Sequence, residues 1–162
     1  MEATREARTA RLLCVTHAAE ETRALGRRLG ALLRPGDVVL LYGELGAGKT
    51  CLAQGVGEAL DAPEPVNSPS FILLNEYAGR LVLYHADLYR IADPGEAFDL
   101  GLGTYTTDGV LVVEWPERAE AALPAGHLAL RLEHAGGDVR RVLGWATDAR
   151  HERLLEALAR AG

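Results

Sequence analysis

Apolar residues recur along this chain in two rhythms, and their alternation predicts the order of its elements. Arg11 to Thr16 reads as a short strand. Ala18, Thr22, Leu25, Leu29 and Leu32 then recur at spacings of three and four, the signature of a helix with one apolar face. Pro35-Gly36 breaks that helix, and Asp37 to Tyr42 is a continuous aliphatic run of the kind found in strands covered on both faces. Gly43 to Thr50 is rich in glycine, and Thr50 to Leu60 returns to the helical rhythm. Pro63, Pro65 and Pro69 make Asp61 to Ser70 a loop. Two strands follow, Phe71 to Tyr77 and Arg80 to His85, with a tight turn at Ala78-Gly79. Pro94 to Leu100 opens on proline as short helices do, and Gly109 to Glu114 is a second strand of the doubly covered type. Leu128, Leu130 and Leu132 alternate ahead of Gly136-Gly137 and a strand from Val139 to Trp145, which together form a hairpin. A helix from Asp148 to Ala161 carries Leu154, Leu155 and Leu158. The expected layout is a single α/β domain spanning residues 1–162, with a mixed sheet and residues 1–10 as a flexible extension.

Composition narrows the function classes. The chain has 162 residues, 48% hydrophobic and 25% charged, which is the balance of a folded globular protein. Its 17 basic and 23 acidic side chains leave a formal charge of −6. A net acidic chain is a poor freestanding nucleic-acid binder, because phosphate neutralisation needs clustered cations. Arg140, Arg141 and Arg150 form the one local basic grouping considered for that role. No apolar run reaches the roughly 18–20 residues that span a bilayer, and residues 1–10 hold no apolar segment of signal type. Cys14 and Cys51 make no metal cluster. The expectation is a soluble cytoplasmic protein without a membrane partner. Among the 17 basic residues, 16 are arginine and one, Lys49, is lysine.

Lys49 lies in Gly43-Glu44-Leu45-Gly46-Ala47-Gly48-Lys49-Thr50, which fits G-x-x-x-x-G-K-[ST]. Chance supplies that motif in roughly one such sequence in a thousand, and here a doubly covered strand precedes it and a helix follows. Glycines let successive amides converge on phosphate oxygens, and the helix directs its positive end at the same anion. A P-loop of this kind predicts Lys49 at the β- and γ-phosphates, the Thr50 hydroxyl on Mg²⁺ and Cys51 at the nucleotide end of the helix. The expected fold is thus a P-loop NTPase-like three-layer α/β fold, with a mixed, largely parallel central sheet and a C-terminal β-hairpin.

Such a site needs a carboxylate at the end of a neighbouring strand. Two apolar runs end suitably, at Asp87 and at Glu114, and spacing does not distinguish the metal ligand from the residue that orients water. Ser68 and Ser70 stand where a switch loop places a hydroxyl near the γ-phosphate, and equally where serines cap turns beside prolines. His85 reads by itself as a hydrogen-bonded core histidine. Trp115, at a strand's carboxyl edge, flanks the expected nucleotide crevice. With Lys49 the sole lysine, no [NT]-K-x-D guanine-reading motif exists, which favours ATP over GTP.

The phosphate loop, followed by Asn67-Ser-Pro-Ser-Phe71, His85-Ala-Asp-Leu-Tyr-Arg90 and Val113-Glu-Trp-Pro116, resembles the bacterial TsaE (YjeE) family over nearly the whole chain. The H-x-D-x-Y-R element with E-W-P makes the likeness specific, and assigns His85, Tyr89 and Arg90 to the motif. The resemblance implies Mg-dependent, weak ATP hydrolysis in N6-threonylcarbamoyladenosine modification of tRNA at adenosine 37. It implies action on a TsaB–TsaD complex, with tRNA met through that complex and the chain monomeric or weakly oligomeric alone. By position it puts Thr50 and Glu114 at the metal, Asp87 at the metal or the attacking water, Trp115 near the nucleotide and Thr16 to Ala19 near adenine. One departure stands out: the family's usual S-P-T-[FY] reads Ser68-Pro-Ser-Phe71, so Ser70 keeps a hydroxyl and lacks a methyl. Two other readings compete, a P-loop small-molecule kinase and a nucleotide-gated binding module without essential turnover. A kinase usually adds an arginine-bearing helical lid, and the second half of this chain reads as hairpins and one amphipathic helix.

Overall fold

Seven strands form one sheet, flanked by four helices, in a computed structural model that describes residues 10–67 and 73–161. In chain order the elements are β1 (Arg11–Thr16), α1 (Ala19–Leu32), β2 (Val38–Gly43), α2 (Lys49–Ala59), β3 (Leu74–Ala78), β4 (Val82–Asp87), α3 (Pro94–Leu100), β5 (Gly109–Glu114), β6 (Leu128–His134), β7 (Arg140–Ala146) and α4 (Ala149–Ala161). Expected elements are all present, Arg11–Thr16, Pro94–Leu100 and Gly109–Glu114 with their expected bounds and the others with boundaries shifted by up to three residues. Short 3₁₀ turns at 102–107, 116–118 and 120–122 are additions that periodicity does not reveal. The expected extension up to residue 9, the switch serines Ser68 and Ser70, and the first two residues of the expected strand at Phe71 lie outside the described residues.

The sheet order is β1-β7-β6-β2-β5-β4-β3. Its middle, β6-β2-β5-β4, is parallel, and β7 and β3 flank it antiparallel. The C-terminal hairpin is no appendage: β6 pairs in parallel with β2, Val39 opposite Leu128, and β7 then receives β1 at the edge. β2 and β5 are buried almost throughout, as their unbroken apolar runs require. Val39, Leu41, Val110 and Val112 face α1, α2 and α4, whereas Leu40, Leu111 and Val113 face α3 and the 3₁₀ turns. This is the three-layer arrangement, and β2 sits where the chain's crossovers diverge to either side, the place where such sheets open a crevice at their carboxyl ends.

At their closest approach helices α1 and α2 meet backbone to backbone. A Cβ on Gly26 would lie 2.1 Å from the Leu52 carbonyl oxygen, and one on Gly55 would lie 2.0 Å from that of Arg23. Only glycine permits this approach. The crossing fixes α2, whose first residue is Lys49, against α1 and the sheet.

Candidate functional site

β2 ends at Gly43, β5 at Glu114 and β4 at Asp87, so three parallel strands deliver their last residues to one edge. Between Gly43 and α2 the chain turns through Gly46 at φ 78° and Gly48 at φ 105°, conformations that side chains resist. Gly48 caps α2, whose first-turn amides have no intrahelical acceptor. The loop opens onto a cleft of about 960 Å³ that includes Lys49, Thr50, Cys51, Asp87, Glu114 and Trp115 in its walls.

Lys49 is buried, its ammonium donating to the Gly43 carbonyl and lying 3.4 Å from the centre of the Trp115 ring. Burial lowers its proton affinity below the ordinary lysine value, and the carboxylates of Glu114, Glu117 and Asp87 partly restore it. Trp115 holds a left-handed backbone, φ 57° and ψ 46°, in a residue type that seldom adopts it. That conformation turns the indole back over the lysine. The Tyr89 ring packs against Trp115, centroids 4.8 Å apart and tilted by 44°, and the Arg118 guanidinium lies 5.3 Å from the Tyr89 ring.

Glu114 is 2% exposed. The Thr50 hydroxyl donates to its two oxygens at 2.9 and 3.2 Å, and His85 Nε2 approaches Oε2 at 2.6 Å. An ionised carboxylate only accepts, so Nε2 is the donor. His85 is fully buried, and its Nδ1 has no hydrogen-bond partner among the described residues. His85 is thus a hydrogen-bonded core histidine, as its place in the sequence suggests, and the nitrogen that bonds serves Glu114. Asp87 stands opposite Glu114 in the β4–β5 register and accepts from the Tyr89 amide at 2.9 Å. Burial raises its pKa, the Tyr89 amide opposes the rise, and the Glu114 charge adds to it.

The remaining expected residues fall in place unevenly. Gly46, Ala47, Gly48 and Leu45 line the cleft, Leu45 as an exposed tip at 72%. Gly43 and Glu44 stand behind it, their carbonyls accepting from Lys49 and from the Ala47 amide. Tyr89 and Arg90 are on the wall. Thr16 is not: its hydroxyl pairs at 2.8 Å with Thr22, and Thr22 and Ala19 face the cleft in its stead. Cys51 lines the cleft too, its thiol 3.1 Å from the Ala19 carbonyl oxygen.

The basic grouping of Arg140, Arg141 and Arg150 is not a patch. Arg140 bonds carbonyls of the phosphate loop, Arg141 faces Glu133 at 4.0 Å, and Arg150 is paired with Asp37 at 2.7 Å. Asp37 precedes β2 and the phosphate loop follows it, so Arg150 and Arg140 occupy opposite ends of that strand. Sequence proximity misled because the length of β7 lies between them, Arg140 at its start and Arg150 beyond its end. Thr22, Leu73, Glu96 and Asp138 on the cleft wall were not among the expected site residues, and Arg140 was expected only in a basic grouping. Arg140 alone had a signal, an arginine just after a glycine turn.

The arrangement joins an anion-accepting loop and helix end to oxygen donors from Thr50, Glu114 and Asp87. Among the described residues no helix is long and apolar enough to cross a membrane. The family described as threonylcarbamoyl adenosine biosynthesis protein TsaE matches residues 16–142. The chain is 43% identical to the tRNA threonylcarbamoyladenosine biosynthesis protein TsaE of Bacillus subtilis over 143 residues, 87% of this chain and 89% of that protein. It is 46% identical to the protein of the same name from Treponema pallidum over 113 residues, 68% of this chain and 83% of the other. The crystal structure of YdiB from Bacillus subtilis matches with a TM-score of 0.78 at 36% identity, covering 94% of this chain and 95% of that one.

Proposed function

This chain belongs to the TsaE family of tRNA threonylcarbamoyladenosine biosynthesis, and on that premise we propose that it is the Mg-dependent ATPase of the modifying machinery, working slowly alone and acting on a TsaB–TsaD-type complex. The observation that carries the reading is the Thr50–Glu114 hydrogen bond beneath a glycine loop. A hydroxyl at the start of the loop's helix, held to a carboxylate at the end of the next strand, is the pair a P-loop uses around a magnesium-bound triphosphate.

The donor set fits magnesium. Thr50, Glu114 and Asp87 offer oxygen only, as a hard cation prefers, with His85 bonded to Glu114 Oε2. When bound, the cation neutralises charge developing on the β- and γ-phosphate oxygens. The chain's own residues do the rest. Loop amides and the α2 N-terminus receive the phosphates, and the Lys49 ammonium leaves the Gly43 carbonyl and the indole for them. That exchange relieves the burial cost which lowers its proton affinity. Thr50 and Glu114, the latter oriented by His85, would hold the cation. Asp87, facing the cleft and held by one amide, orients the attacking water. Tyr89 and Trp115 cover the site from one side and limit water there.

Calorimetric titration of ADP and ATP, with and without Mg²⁺, tests the binding step. Turnover of the wild type, Lys49→Ala and Asp87→Ala, with and without the partner pair, tests the chemistry. Turnover equal in all three proteins ends the assignment.

A further inference from the structure

Arg140 begins β7, two strands away from β2, yet its guanidinium ends on the phosphate loop. Nε donates to the Ala47 carbonyl at 3.2 Å and Nη2 to the Gly46 carbonyl at 3.3 Å. Nη1 donates to the Gly137 and Val139 carbonyls of the hairpin turn at 2.7 and 2.9 Å. One planar fork thus ties two loop carbonyls to two hairpin carbonyls. Lysine offers a single point of charge and no fork, so the geometry is specific to arginine.

The loop has reason to need such a tie. Amides converge on an anion only while the intervening carbonyls point away, and a flipped peptide would present oxygen to oxygen. Gly46 resists flipping least: it has φ 78°, and nothing lies within 4 Å of where its Cβ would be. Leu45 beside it is exposed and packs on little. Ala47 is fully buried, which holds one side of the turn. On the other side Arg140 is what holds the Gly46 and Ala47 carbonyls outward, among the described residues. The same bonds offset the partial negative charge of those carbonyls near an incoming phosphate.

We propose that Arg140 is the positioning residue of the phosphate loop: its fork sets the loop's amides for a polyphosphate before one arrives, without itself contacting the reacting atoms. This rests on the ATP reading above and goes further, since it assigns a function to the C-terminal hairpin. The role is in ground-state grip, so it belongs in KM more than in kcat.

Arg140→Met keeps the apolar stem and removes the fork; Arg140→Lys keeps the charge and also lacks the fork. Arg141→Met is the neighbouring control. Calorimetry with ADP and with tripolyphosphate, which has no base, is read beside melting temperature and steady-state turnover. Each Arg140 variant is expected to lose about tenfold or more in affinity for both probes. KM for ATP rises in step and kcat changes by less than about threefold, while Arg141→Met binds as the wild type does. Full recovery in Arg140→Lys overturns the proposal, since charge would then suffice. Loss of ADP affinity with unchanged tripolyphosphate affinity overturns it as well, since Arg140 would be serving the base or ribose. If Arg140→Met fails to fold, Arg140→Lys decides: a tenfold loss supports the fork and wild-type affinity refutes it. A wild-type chain that binds neither probe refutes the nucleotide reading itself and this proposal with it, an outcome distinct from all the others.

Discussion

The two ends of β2 both bury charge, and they do so in opposite ways. At the amino end Asp37 is 2% exposed and accepts from the Arg34 amide at 2.8 Å and from Arg150 Nε and Nη2 at 3.0 and 2.7 Å. Next to it His151 Nε2 accepts the Val38 amide at 3.1 Å, while Nδ1 bonds Asp148 at 2.6 Å. Each of these buried groups has its donors and acceptors met. At the carboxyl end His85 Nδ1 has no partner among the described residues, Trp115 is left-handed, and Lys49 rests on its own loop's carbonyl. Closed networks hold a fold together, and open ones await a ligand. Buried charged groups at the two ends of one strand can thus be told apart by what their neighbours lack.

Substitutions at the two ends should therefore separate stability from function. The largest effect is expected at the amino end. Asp37→Ala strands the Arg150 guanidinium and the Arg34 amide, at a cost of about 3–5 kcal/mol. At roughly 2–4 °C per kcal/mol the melting temperature falls by on the order of 10 °C, with ADP affinity of the folded fraction retained. Melting and titration on one sample check it, and an undisturbed melting temperature would erase the contrast. At the carboxyl end Lys49→Ala should do the reverse, lowering ADP affinity or turnover by at least about 100-fold. Its melting temperature should hold or rise, because a buried ammonium has been removed.

Finer tests concern the open network alone. His85→Leu takes a donor from Glu114, and the Mg²⁺ concentration for half-maximal turnover should rise about 10–100-fold. His85→Gln, which can still donate, should recover most of that, and Mg-free ADP affinity should not change in either. Equal damage in both variants would mean that His85 is only packing.

The smallest effect is on pH. Burial raises the Asp87 carboxyl pKa above its ordinary value of 3.8, so the ionised group costs stability in the folded state. The cost is absent below the unfolded value and complete above the folded one, hence it grows as pH rises. Asp87→Asn keeps the acceptor for the Tyr89 amide and removes the charge. It should melt with the wild type in acid and above it at neutral pH, by no more than about 4 °C given that solvent screens a half-buried carboxyl. A variant that melts below the wild type at neutral pH contradicts the sign.

Much of the cleft end could be read from the chain because its parts are local or periodic. Gly43 to Thr50 is contiguous, and the apolar runs before Asp87 and Glu114 identify the strand ends that meet it. What escaped depends on pairing between distant segments. Nothing in the sequence near Arg140 announces Ala47, 93 positions earlier, because the sheet order that unites them is set by β6 choosing β2 as its neighbour. The resemblance puts Thr16 to Ala19 near the base, yet the Thr16 hydroxyl turns to Thr22, and it is Ala19 and Thr22 that line the cleft. Arg150 reads in the sequence as part of a basic grouping, whereas Asp37, at the start of the expected strand, is its buried counterion.

The glycine crossing of α1 and α2 carries one more implication. Because backbone meets backbone there, the two helices have no compressible layer between them, and whatever displaces one is transmitted to the other undamped. Gly55 lies six residues beyond Lys49, about 9 Å along the axis. Enlarging it should loosen the grip on phosphate from a spot no ligand touches, so a random screen for lost nucleotide affinity ought to return hits along this seam as readily as in the cleft.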